Sequence, residues 1–154
     1  MPLSDILATD AVFPSLKVNI KKQAIQEISA HAAKLTGQDE RKIFEILLQR
    51  EHLGSTGIGH GVAIPHGKMP KLDRIFGLFA RLEKPINFEA FDGAPVDLVF
   101  LLLAPEAAGA DHLKALALVA RLLRDAKVTD KLRDSRETKT LYSILTAPPI
   151  HHAV

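Results

Sequence analysis

Residues 98–104 read Leu-Val-Phe-Leu-Leu-Leu-Ala, an apolar run between Asp97 and Pro105 with no polar side chain in it. A strand with one wet face alternates apolar and polar residues. This one does not, so both of its faces must be covered. Such strands lie inside sheets with helices on both sides, and their neighbours are usually parallel. Residues 75–82 form a second run of this kind, interrupted only by Gly77 and Arg81. The helices that would supply the cover are legible as stripes of period 3.6. Ala24, Ile25, Ile28, Ala32 and Leu35 mark one over 21–35, which stops at Gly37. Ile43, Phe44, Leu47 and Leu48 mark another over 39–53. Asp39 and Glu40 fall in its first turn, where the helix dipole favours acids, and Gly54 suits its C-terminal cap. A third helix is predicted over 112–124, capped by Asp111 and mostly buried, because Lys114, Arg121 and Arg124 leave only a narrow polar stripe. Leu141, Tyr142, Ile144 and Leu145 mark a short last helix before Pro148-Pro149. Short strands are expected at 62–64 and near 16–18. The order predicts an α/β fold: a three-layer-like sandwich with a mixed central sheet and helices on both faces. Residues 1–147 read as a single domain and 148–154 as a C-terminal tail.

Composition removes several function classes. Net charge is +2 and no dense basic block occurs, so nothing prompts nucleic-acid binding. The absence of cysteine excludes disulfides, thiolate nucleophiles and cysteine-based zinc sites. The start, Met1-Pro2-Leu3-Ser4-Asp5, lacks the basic and apolar regions of a signal peptide. No apolar run is long enough to span a bilayer. The expectation is a cytoplasmic protein without stable membrane insertion.

Five of the nine glycines fall within 54–67, a run that closes on Ile64-Pro65-His66-Gly67. Glycines at 57, 59 and 61 can take positive φ and expose successive backbone N–H groups, which bind anions such as phosphate. No Gly-Lys-Ser/Thr closes the run, and its spacing is not that of a dinucleotide fingerprint. A nucleotide is therefore not the expected ligand. A histidine beside an anion-binding loop suggests that the phosphate is carried on the histidine. Neutral imidazole is a nucleophile near its ordinary pKa of about 6.5. Phosphoryl transfer chiefly needs positioning and charge stabilisation, so backbone donors and one or two cations suffice, and no cofactor or metal is called for. His52, His60, His66 and His112 lack the tight local spacing of zinc ligands. His31 and His52 read as helix-surface residues, His60 as a loop-surface one, and His151 and His152 as incidental to the tail.

Arg50, Leu53-Gly54-Ser55-Thr56-Gly57-Ile58-Gly59 and Gly61-Val62-Ala63-Ile64-Pro65-His66-Gly67 together resemble the active-site signature of the enzyme IIA proteins of the fructose/mannitol class. These belong to the bacterial phosphoenolpyruvate-dependent phosphotransferase system. Pro85-Ile86 with Phe88, Pro95-Val96-Asp97-Leu98 and His112-Leu113 extend the resemblance over nearly the whole domain. Gly67-Lys68 after the histidine is most similar to the nitrogen-regulatory branch. The resemblance implies that His66 accepts a phosphoryl group on Nε2 from a histidine phosphocarrier protein. It places Arg50 on the phosphoryl oxygens and His112 across the site. Planar arginine donors suit phosphate, and a neutral His112 in the first turn of a helix could donate to it. Ser55, Thr56, Gly59 and Gly61 are expected to complete a phosphate-binding loop.

The function so implied is a phosphorylation-dependent regulator that is also a phosphotransferase. Its regulatory targets in the family include potassium transport and sensor proteins. Two alternatives stand beside it. One is a sugar-specific enzyme IIA that passes phosphate to a separate IIB component. The other is a purely regulatory binding module, in which phosphate on His66 only changes the charge of a docking surface.

Overall fold

The computed structural model describes residues 1–148. The apolar run lies in β6 (Val96–Pro105), where residues 98–104 are all buried. Antiparallel to it runs β5 (Phe76–Ile86), with Phe76 opposite Leu103 and Arg81 opposite Leu98. On the far side of β5 lies β1 (Val12–Leu16), parallel to it. The other flank of β6 is shared by two short parallel strands laid end to end. Of these, β3 (Val62–Ala63) pairs with Leu98 and Val99, and β4 (His66–Met69) with Leu102 through Pro105. Antiparallel to β3 is β2 (Gly57–Gly59). The sheet is thus mixed and six-stranded, in the order β1-β5-β6-β3-β2 with β4 also on β6.

Helices cover the sheet in two groups. The helix α1 (Lys21–Thr36) packs on α2 (Glu40–His52), and they reach the sheet at β5 and β4 respectively. The second group is α3 (Ala110–Arg124), α4 (Ala126–Asp134) and α5 (Thr138–Thr146), which contact one another in sequence and meet β6 and β1. Ile25, Ile28, Ile43 and Leu47 come from the first group, and Val119, Leu123, Leu132, Leu141 and Leu145 from the second. They close on Phe79, Phe100 and Leu101 of the sheet. Truncating a core leucine such as Leu101 to alanine is worth about 2–5 kcal/mol of stability. Among the described residues no helix is long and apolar enough to cross a membrane.

The early strand lies at Val12–Leu16, not at 16–18. Its Pro14 cannot donate to a ladder, which an edge strand tolerates. Helix α3 starts at Ala110, with Gly109 as N-cap at φ 57°. Asp111 therefore sits inside the first turn and caps nothing. Leu35 lies one turn beyond Ala32 and is exposed at the end of α1. Helix α4 has no counterpart in the sequence reading. Its segment is mostly charged, and it buries only Thr129 and Leu132, with Asp125 capping it through the Lys127 N–H. The expected tail, with His151 and His152, falls outside the described residues except for its first position.

Candidate active site

The site is built on the break between β3 and β4. Pro65 has no N–H, but its carbonyl accepts from Leu102 N at 2.9 Å. Ile64 N donates to Thr56 O at 3.0 Å. The chain is therefore held on both sides of the break, and His66 enters β4 in register with Leu102. Alternation then assigns the next two side chains to opposite faces. Gly67 faces α2, so close to it that a Cβ would stand 2.5 Å from Ile46 Cγ2. His66 faces the other way, where the His112 ring of α3 lies 5.7 Å from its own, tilted by 48°. Among the described residues β4 pairs only with β6, so its outer edge is open. Arg50, on the last turn of α2, reaches His66 there.

Two hydrogen bonds define the state of the His66 ring. Nδ1 lies 2.9 Å from the Ile64 carbonyl oxygen, which can only accept, so Nδ1 carries the proton. Arg50 Nε donates to Nε2 at 3.3 Å, so Nε2 presents its lone pair. Burial holds the His66 pKa below its ordinary value; the Ile64 bond and Glu51 oppose this, while the Arg50 charge adds to it. Burial likewise lowers the pKa of His112, with His66 and Lys68 adding to the effect. Both rings are thus neutral near neutral pH. His112 is buried, and its Nδ1 has no hydrogen-bond partner among the described residues. No side chain caps α3, and His112 in its first turn brings the positive end of the helix dipole toward His66.

His66, Arg50 and His112 therefore converge. The other expected residues do not join them. Ser55 donates its hydroxyl hydrogen to Phe88 O at 2.8 Å, and Thr56 donates its own to Glu51 Oε2. A hydroxyl has one hydrogen, so both shape the 54–57 segment and neither hydroxyl is left to donate to a phosphate. Gly59 and Gly61 flank the β2–β3 turn. Val62 is opposite Leu98 while His66 is opposite Leu102. Four residues of strand separate them, about 13 Å at roughly 3.3 Å per residue. These glycines belong to a turn at the far end of the break. Gly61, at φ 79°, packs under the Arg133 guanidinium, which pairs with Asp97 at 2.9 Å. His60 and His52 are exposed and outside the site, and His31 stacks on Phe13 at 4.1 Å.

Glu51 and Lys21 near the site were not singled out from the sequence, and Lys68 was noted only as part of the motif and not as a residue beside the site. Glu51 is buried beside Arg50, and its partner Lys21 lies thirty positions earlier, which no local pattern reveals. Lys68 is exposed two residues beyond His66, hence on the same strand face; period-two counting along β4 would have found it.

An open, mixed sheet with helices on both sides and a neutral histidine at a strand break describes a recognisable class of α/β domain. The family of the phosphoenolpyruvate-dependent sugar phosphotransferase system, EIIA 2, matches residues 5–147, and the chain belongs to it. The nitrogen regulatory protein of Bradyrhizobium diazoefficiens is 66% identical over 149 residues, 97% of each chain. The structure of nitrogen regulatory protein IIA-Ntr from Neisseria meningitidis superposes with a TM-score of 0.89 at 34% identity, covering 94% of this chain and 99% of that one. The fold is also that of enzyme IIAMtl from Escherichia coli in its complex with phosphorylated enzyme IIBMtl. There the TM-score is 0.78 at 19% identity, with 93% of this chain and all of that one covered.

Proposed function

We propose that the chain accepts a phosphoryl group on His66 Nε2 from a phosphorylated histidine phosphocarrier protein and acts as a phosphorylation-dependent regulator. One observation carries the proposal: the Ile64 carbonyl fixes the proton on Nδ1 and leaves the Nε2 lone pair beside an arginine. In the transfer, that lone pair forms the new N–P bond. The old N–P bond breaks, and its electron pair returns to the carrier's imidazole. Charge on the equatorial oxygens meets the Arg50 guanidinium and the α3 amides, with His112 as a neutral neighbour. No step asks for a metal or cofactor.

A protein donor fits the surroundings. Leu53, beside the Arg50 turn, is 84% exposed, and Leu113, beside His112, is 65% exposed. The complex of the mannitol protein shows the same fold docking a phosphorylated partner. The relatives named nitrogen regulatory protein support regulation over sugar import. By family resemblance the targets include potassium transport and sensor proteins, in the cytoplasm, with residues 1–147 as the working unit. Phosphate on His66 would add negative charge between the two exposed leucines and so change what docks there.

The test is reconstitution with phosphoenolpyruvate, enzyme I and the carrier protein. The expected product is an acid-labile, base-stable phosphoprotein that His66→Ala does not form. Stoichiometric labelling of His66→Ala would refute the assignment.

A further inference from the structure

Glu51 is a buried carboxylate that the transfer chemistry does not use. Its side chain is 2% exposed, and its carboxylate bonds Lys21 and Thr56. Oε1 takes the Lys21 ammonium at 3.0 Å and the Thr56 N–H at 3.0 Å. Oε2 takes the Thr56 hydroxyl. Lys21 opens α1, Glu51 lies in the last turn of α2, and Thr56 lies in the segment leading to β2, so one carboxylate gathers three parts of the chain. Lys21 also lies 4.9 Å over the Phe88 ring.

The gathered segment is the one that holds Arg50. Arg50 has two anchors: Nε on His66, and Nη1 on the Gly54 carbonyl at 2.9 Å. Gly54 O has its direction set by the fold-back of 54–56 onto the end of α2. That fold-back is fixed by Gly54 N donating to the Glu51 carbonyl and by both bonds from Thr56 to the Glu51 carboxylate. Charge follows the same logic. A lone carboxylate one residue from Arg50 would repel an incoming phosphoryl group. Lys21, which Glu89 also approaches at 3.6 Å, offsets part of that charge, so the pair positions Arg50 with less repulsion of the anion than a bare carboxylate would give.

We propose that the Lys21–Glu51 pair, with Thr56, positions the Arg50 guanidinium for phosphoryl transfer to His66, which makes Glu51 a positioning residue. The inference rests on the transfer reading above. Displacement of a positioned group by an ångström costs as much as a hundredfold in rate.

The experiment is a double-mutant cycle on the rate of phosphoryl transfer from the carrier, using Glu51→Gln and Thr56→Val, each alone and with Arg50→Ala. Circular dichroism and thermal melting identify variants that remain folded. Both single variants are expected to lower the maximal rate roughly ten- to hundredfold, with the KM for the phosphorylated carrier unchanged. In the Arg50→Ala background neither should lower it further, because the residue they position is gone. An equal loss in that background overturns the proposal, as does a folded pair of variants with wild-type rates. A second readout does not depend on transfer. In wild type the Arg50 Nε–H should give a protected nitrogen–proton signal, and Glu51→Gln or Thr56→Val should expose it to exchange. Should wild type never accept phosphate, the transfer reading fails, and this signal still decides whether Glu51 positions Arg50.

Discussion

Arg50 occupies the lone pair that His66 needs: its Nε donates to Nε2 across 3.3 Å, while the opposite ring nitrogen is tied to Ile64 O. The guanidinium and the incoming phosphorus therefore compete for one atom. Arg50 has to slide from the ring onto the phosphoryl oxygens as the N–P bond forms. A planar group with five donors can do this without leaving the site, and a lysine cannot reproduce the fork.

Arg50→Ala should slow transfer about 10- to 100-fold, as expected for one lost charge-assisted hydrogen bond of about 1.5–3 kcal/mol. Arg50→Lys should recover only part of it. Stopped-flow or quench-flow labelling from the phosphorylated carrier gives the rate, and thermal melting shows that the fold survives. A wild-type rate in Arg50→Ala would leave that residue a helix-end charge.

Acid should destabilise the fold through its two site histidines. Both are held below the ordinary histidine pKa of about 6.5. Below that pH the unfolded chain takes up protons that the folded chain refuses, so stability is full above it and is lost as pH falls toward the lowered values. Urea midpoints at about pH 7.5 and about pH 5.5 should differ, and His112→Phe should reduce the difference. A midpoint independent of pH over that window would contradict burial of neutral rings.

Gly67→Ala tests the seating of β4. The added methyl meets Ile46, a branched side chain with little room to yield, so the strand must lift from α2. Overpacking of this kind costs about 1–3 kcal/mol, measured by urea denaturation. Because His66 is the preceding residue, transfer should fall as well.

Gly61→Ala should behave in the opposite way. Its positive φ and the Arg133 guanidinium above it predict a loss of about 1–3 kcal/mol. The distance from His66 predicts a transfer rate within about twofold of wild type at a temperature where the variant is folded. A large loss of rate would return this glycine to the phosphate pocket.

These contrasts mark what could be read from the residues. The unbroken apolar run of β6 announced a strand covered on both faces, and the stripe of α1 announced one of its covers, because period reports burial directly. His66 and Arg50 lie in a motif with strong local spacing and the family resemblance added His112; the structure brings the three side chains together. The glycine run misled at Gly59 and Gly61. Glycine permits both an anion cradle and a tight turn, and only the pairing of β3 and β4 with β6 separates the two ends of the run. Helix α4 was hidden because its segment is mostly charged. Glu51 was hidden because burial of a carboxylate depends on Lys21, whose approach is set by the packing of α1 on α2.

The central claim concerns one atom. Labelling the histidine rings with nitrogen-15 and recording their spectra before and after phosphorylation tests it most directly. Before phosphorylation, His66 should show a protonated Nδ1 and an unprotonated Nε2. Afterwards, phosphorus coupling should be found on Nε2 of His66 and on no other histidine. Phosphate on Nδ1, or on a different ring, would contradict the account.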